Sequence, residues 1–210
     1  MRIWSVTPIH VSAEELARRQ ERYVRISPTG VTVHLHDIGP DAPQALETSE
    51  DVRASERCVV QALSIIPAGY DAVMPDCVLD PGVAELQAAN TLPVIGILRL
   101  NLAHAHAMAA PIAAVVRNRA IAEEMRAVGA VYGWGDALTD IATIELDVAA
   151  IAEGDRWQEA LESTATELAA RGASSLLNGC SAVDTRASER LPLRVFDPVA
   201  RALRLAQAGA

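Results

Sequence analysis

Two cysteines in matching surroundings carry the strongest chemical signal in this chain. Cys77 lies in Met74-Pro75-Asp76-Cys77-Val78-Leu79-Asp80-Pro81-Gly82, and Cys180 in Leu177-Asn178-Gly179-Cys180-Ser181. Each follows a short apolar run and precedes residues that read as the opening of a helix. Each thiol is therefore expected at the carboxyl end of a strand and the amino end of a helix. Unpaired N–H groups there favour negative charge and lower a thiol's pKa. About 100 positions separate the two. That arrangement predicts a pair of acid/base groups facing each other across a cleft between two similar halves.

Elements able to position them recur along the chain. Strands are predicted at Ile3–Thr7, Val31–His36, Ala72–Met74, Val94–Ile97, Ile112–Val116, Ala130–Tyr132, Ser175–Leu177 and Leu193–Phe196. Apolar spacing near 3.6 predicts helices at Ala13–Tyr23, Ser49–Ile66, Gly82–Ala89, Arg119–Val128, Asp155–Arg171 and Pro198–Ala206, with a further one at Ala103–Ala110. Gly39–Glu47 reads as a surface loop. Such alternation predicts an α/β fold with parallel sheets flanked by helices. Ligands then bind beyond the carboxyl ends of the strands, where Thr7, Pro8, Cys77, Arg99, Arg117 and Cys180 would lie.

Composition removes several chemistries. The 210 residues include no lysine, so neither a pyridoxal Schiff base nor a P-loop is available. No Gly-x-Gly-x-x-Gly run opens a helix. A net charge of −9 without a basic run argues against nucleic acid. No apolar run reaches membrane-spanning length, and Met1-Arg2-Ile3-Trp4-Ser5-Val6 is too short and too mixed for an export signal. With an odd count of three cysteines, this predicts a cytoplasmic protein without a structural disulfide or a membrane partner. A thiol redox role fits poorly, because no Cys-x-x-Cys occurs.

Other reactive residue types have plainer readings. Cys58, on a helix, reads as an inert core thiol. Asp76 reads as a surface or capping acid, since a carboxylate beside Cys77 would oppose its ionisation. His34/His36 and His104/His106 lack metal-ligand spacing and read as surface or core histidines. His10 is a candidate for the cleft mouth. Arg117 suits either a substrate carboxylate or a neighbouring acid. Asp197 precedes Pro198 as a helix N-cap would.

Five segments across nearly the whole chain resemble the Asp/Glu/hydantoin racemase superfamily, most closely its hydantoin and allantoin racemase branch. They are Met1-Arg2-Ile3-Trp4; Tyr70-Asp71-Ala72-Val73 leading to Cys77 and Asp80-Pro81-Gly82; Leu92-Pro93-Val94-Ile95-Gly96-Ile97; Gly179-Cys180-Ser181; and Pro192-Leu193-Arg194-Val195-Phe196-Asp197-Pro198-Val199. The resemblance implies two pseudo-symmetric flavodoxin-like lobes with the active site in the cleft between them. Residues 1–98 plus 192–210 would form the first lobe, the late strand returning to it, and residues 99–191 the second. It implies a homo-oligomer acting on a small molecule, without cofactor or metal. It also implies racemisation beside a carbonyl, with Cys77 and Cys180 sharing proton removal and return. Thr7, Pro8, His10, Val78, Arg117, Asn118 and Ser181 are the expected substrate contacts.

Racemisation takes a proton from one face of a carbon and returns one to the other, which suits two opposed groups, one thiolate and one thiol. Backbone N–H groups after each cysteine, with Thr7, Ser181 and Arg117, are the candidate stabilisers of the carbanion. The chain departs from the family pattern at Thr7-Pro8-Ile9-His10, Leu98-Arg99-Leu100-Asn101 and Arg117-Asn118-Arg119. Fold and chemistry class survive these changes; substrate identity stays open. A hydantoin or amino-acid derivative leads. An isomerase, an arylmalonate-type decarboxylase and a non-catalytic small-molecule binding protein are the alternatives.

Overall fold

A computed structural model describes residues 1–151, 153–185 and 191–209. Residues 152 and 186–190, assigned from sequence to the second lobe, lie outside the described residues. The chain forms two parallel sheets flanked by helices. In order, the elements are β1 (Arg2–Val6), α1 (Ala13–Ile26), β2 (Thr32–His36), α2 (Ser49–Leu63), β3 (Ala72–Pro75), α3 (Val83–Ala89) and α4 (Ile97–Ala107). Then come β4 (Ile112–Val116), α5 (Arg119–Val131), β5 (Leu138–Thr143), α6 (Gly154–Ala170), β6 (Ser175–Asn178), β7 (Arg194–Phe196) and α7 (Pro198–Ala208). The first sheet has the order β2-β1-β3 and the second β5-β4-β6-β7. Every pairing is parallel.

Strand alternation sorts the core. Ala114 and Val116 of β4 face inward with Leu177, joining Ile3 and Met74 of the first sheet in one apolar cluster. Ala113 and Val115 face the other way, against Trp157, Leu161, Ala165 and Leu168 of α6. On the outer face of the first sheet, Val6 and Val73 meet Val59 and Leu63 of α2 and Val83 and Leu86 of α3. The shared inner cluster fixes the two sheets against each other. Helix starts follow local chemistry. Ser12, Asn118 and Asp197 each accept a backbone N–H from the first turn of α1, α5 and α7, and Thr48 forms a capping box with Asp51 on α2.

Three expectations need correction. Val94–Ile97 is not a strand. Only a bridge between Val73 and Val94 forms, and Ile97 opens α4, because the Asp80 carboxylate caps that helix by accepting from Leu98 and Arg99 N–H at 3.0 and 2.7 Å. Ala130–Tyr132 is the end of α5, and the strand beside β4 is Leu138–Thr143, whose apolar alternation is broken by Thr139 and Asp140. The late strand does not return to the first sheet. β7 pairs with β6, while α7 leads away to contribute Val199, Ala202 and Leu203 to the shared core.

Gly179 ends β6 where it runs against β4. A Cβ there would lie 2.3 Å from the Val115 carbonyl oxygen and 2.5 Å from Val116 Cγ1. Gly179→Ala is therefore expected to destabilise the fold by about 1–3 kcal/mol through overpacking, measured as a lower urea midpoint. An unchanged midpoint would mean that the turn before Cys180 yields freely.

Candidate active site

Carboxyl ends of strands from both sheets converge on one pocket of about 540 Å³, its open mouth included. Cys77 and Cys180 both line it. Pro8 and Ile9 follow β1, Val78 and Leu79 follow β3, Arg117 follows β4, and Ser181 and Ala182 follow β6. Leu46, Ile121, Val148, Ile151 and Trp157 close an otherwise apolar wall. All three cysteines are free thiols.

The Cys77 turn is set by backbone geometry. Asp76 N–H donates to the Val6 carbonyl at 2.9 Å, continuing the β1–β3 pairing to the cysteine. Leu79 N–H points at Cys77 Sγ (3.5 Å). Asp80 and Gly82 both take positive φ, 51° and 67°. Gly82 is fixed twice, since a Cβ would also lie 2.3 Å from Val60 Cγ2. The Cys180 turn is held by side chains. Asn178 donates to the carbonyls of Cys180 and Val183, and its own oxygen accepts from Trp157 Nε1 at 3.1 Å. Ser181 Oγ donates to the Asp76 carbonyl at 2.8 Å, so the two thiol-bearing turns are bonded to each other.

A charged cluster underlies both turns. Arg19, 4 % exposed, donates to Glu15 at 2.7 Å, approaches Asp76 at 3.6 Å and reaches the pocket wall. Tyr23 Oη donates to Asp76 at 2.7 Å. Arg22 pairs with Asp197 and Asp184 and donates to the Val183 carbonyl, while Arg18 donates to that of Ala182. Asp76 is thus no surface acid. It is 1 % exposed, and burial pushes its carboxyl up against the pull of Arg19 and Tyr23.

The expected lowering of the thiols is overturned. Burial raises both, and neither sits on a helix terminus. Cys77 precedes the first residue of α3 by six positions, and a non-helical turn follows Cys180 among the described residues. The two differ in what surrounds them. Leu79 N–H eases ionisation of Cys77, but Asp76, Asp80 and Cys180 oppose it. For Cys180 the Ala182 N–H and the charges of Arg19 and Arg22 favour the thiolate, against Asp76. Cys180 is also the less buried of the two.

The other expected residues divide. Pro8, Val78, Arg117 and Ser181 line the pocket; Thr7, His10 and Asn118 do not. Thr7 is fully buried and accepts from Ile38 N–H, its hydroxyl turned away to the β2 loop. His10 Nδ1 lies 2.7 Å from Asp37, whose carboxylate also accepts from Val11 and Gly39 N–H. Asn118 caps α5 and donates to the Leu46 carbonyl. Arg117 meets a protein acid. It donates to Glu47 at 2.6 Å and to the carbonyls of Leu46 and Leu146. Arg99 lies over the Tyr132 ring and outside the thiol pocket. Of the histidines, His34 meets Tyr70 Oη and His36 stacks on Trp4. Sequence reasoning missed Arg19, Leu46 and Trp157. For Arg19 a signal exists, because Arg19, Arg22 and Tyr23 occupy the buried stripe of α1.

Parallel α/β lobes meeting at a pocket of strand ends, with a thiol from each lobe on its wall, define a two-lobed α/β protein with one shared site. The chain belongs to the Asp/Glu/hydantoin racemase family, whose sequence profile matches residues 9–206. Solved structures share the fold. An allantoin racemase from Klebsiella pneumoniae superposes with a TM-score of 0.83 at 20 % identity, covering 99 % of this chain and 86 % of that one. An allantoin racemase from Pseudomonas fluorescens gives 0.82 at 18 % identity, with 99 % and 90 % covered. A maleate isomerase from Pseudomonas putida gives 0.60 at 14 % identity, with 99 % and 92 % covered. No curated protein matches the chain in sequence. Among the described residues, no helix is long and apolar enough to cross a membrane.

Two outcomes follow from the electrostatics. Iodoacetamide should modify Cys180 before Cys77, followed by peptide mass spectrometry; the reverse order would place the more ionisable thiol at Cys77. Burial raises Asp80 to about 7 despite the N–H groups of Arg99 and Leu98. The folded acid keeps its proton where the unfolded one has lost it, so its contribution is greatest below about pH 4 and falls as pH rises to 7. Thermal unfolding should show this decline in the wild type relative to Asp80→Asn; parallel pH curves would contradict it.

Proposed function

We propose that the chain is a cofactor-independent racemase or epimerase that uses Cys77 and Cys180 as its two acid/base groups. The observation that carries this reading is the presence of both thiols on one pocket, each contributed by a different sheet. One thiolate removes the proton from a carbon beside a carbonyl. The electron pair passes to the carbonyl oxygen as an enolate, and the opposite thiol returns a proton to the other face. Thiol and thiolate have then exchanged places, ready for the reverse direction. Cys180, nearer to cationic influence, is the first base. Both thiols are raised by burial, so activity rises with pH across the neutral range.

The preferred substrate is a 5-substituted hydantoin or a related neutral amino-acid derivative. Arg117 and Arg19, the cations on the pocket wall, already hold Glu47 and Glu15 at 2.6 and 2.7 Å. Among the described residues lining the pocket, no guanidinium is left without an acidic partner to meet a free carboxylate. A cyclic imide needs none, because its carbonyl enolises more readily. The apolar wall of Ile9, Leu79, Ile121 and Trp157 suits the 5-substituent.

Incubation of single-enantiomer hydantoins with the protein in heavy water tests this. Deuterium should enter the acidic carbon as optical rotation decays. Cys77→Ser and Cys180→Ser should each lower racemisation by at least about 100-fold, while leaving exchange on one face. Unaltered turnover in either variant would defeat the two-thiol assignment. Carbon dioxide release from arylmalonates would select the decarboxylase, and no exchange with any hydantoin or amino acid would leave a binding protein.

A further inference from the structure

A second, chemically different pocket lies where β7 meets α7 and α4. It encloses about 690 Å³, open to solvent, and is lined by Arg194, Arg201, Arg204, His104 and Phe196. It shares no lining residue with the thiol pocket. The chain as a whole carries a net charge of −9, so a cluster of three arginines runs against its overall charge. None of the three has an acidic partner among the described residues. The ion pairs there engage other arginines. The acid at the rim, Asp197, is committed to the Ala200 N–H and to Arg22.

Packing holds these like charges together. The guanidiniums of Arg194 and Arg201 lie 4.7 and 4.1 Å from the centroid of the same Phe196 ring. Cation–π attraction orients them, but it does not offset repulsion between two cations on one ring. Burial and the charge of Arg194 both pull Arg201 down. Arg201 Nη1 is buried without a hydrogen-bond partner. A buried N–H of a cation left unbonded is costly unless something supplies an acceptor. Oriented guanidinium forks with spare donors match the oxygens of phosphate and carboxylate groups.

We propose that this pocket is a binding site for a small polyvalent oxyanion, a phosphate compound or a polycarboxylate, held by Arg194, Arg201 and Arg204. The anion takes the free donor of Arg201 and neutralises the cluster. Arg204, exposed as Arg194 is, closes on it from α7.

Calorimetric titration of the full chain with inorganic pyrophosphate, and separately with citrate, at low ionic strength tests the site. Saturable one-to-one binding is expected, absent with sodium chloride at matched ionic strength. Arg201→Gln and Arg204→Gln should each weaken it by about tenfold or more. Arg119→Gln, which removes an exposed pair on α5, and Cys180→Ser in the thiol pocket should bind as the wild type does. Preference for pyrophosphate or for citrate would identify the class of anion. Arg204 is exposed, so its variant folds even if loss of Arg201 does not allow folding. No saturable binding at millimolar anion, or equal binding by the Arg204 variant, would overturn the proposal. So would loss of a sedimenting oligomer in that variant without any anion effect, which would make the patch a contact between copies.

Discussion

Burying the guanidiniums of Arg19 and Arg22 is the constraint on which the rest of this structure depends. A cation taken out of water costs several kcal/mol unless opposite charge and hydrogen bonds meet it. Helix α1 presents both inward, and the partners come from every part of the site. Asp76 lies beside the Cys77 turn, Asp184 and the Val183 carbonyl follow the Cys180 turn, and Asp197 opens α7. Satisfying two cations therefore positions both thiol turns and the last helix together. The Ser181 hydroxyl on the Asp76 carbonyl completes the link. Removing one partner would leave an uncompensated charge in the interior, so this network is all-or-none in character.

The same cluster makes the two thiols unequal. Burial favours the neutral form of both, yet Cys180 faces arginine charge while Cys77 is flanked by the carboxyls of Asp76 and Asp80. The apolar wall strengthens each of these electrostatic contacts by limiting access of water.

Loop 37–48 has a part that its composition did not announce. It reads as surface, with Gly39-Pro40-Asp41-Ala42-Pro43 at its centre, yet Ala42 and Leu46 are buried. Arg117 and Asn118, at the end of β4, grip the Leu46 carbonyl and the Glu47 carboxylate. That clasp ties the first lobe to the second across the pocket and pairs the Arg117 guanidinium with a protein acid.

Much of this was legible along the chain. Continuous apolar runs at Ala72–Met74 and Ile112–Val116 announce buried parallel strands, Asp197 before Pro198 announces a helix start, and matching surroundings single out Cys77 and Cys180. These are local signals: periodicity, caps and turn chemistry act within a few residues. What the thiols feel is not local. Burial raised both, contrary to the helix-end argument, because desolvation depends on everything packed around a group. Asp76 reads as a surface or capping acid because a carboxylate beside Cys77 would oppose its ionisation, while its real partners, Arg19 and Tyr23, arrive from over 50 positions away. The pairing of β7 with β6, and the capture of Arg117 by Glu47, were likewise decided only when distant segments met. Sequence by itself determined the alternation of elements and the positions of the two candidate thiols; tertiary structure alone decided their electrostatic surroundings, because charge and solvent act through space.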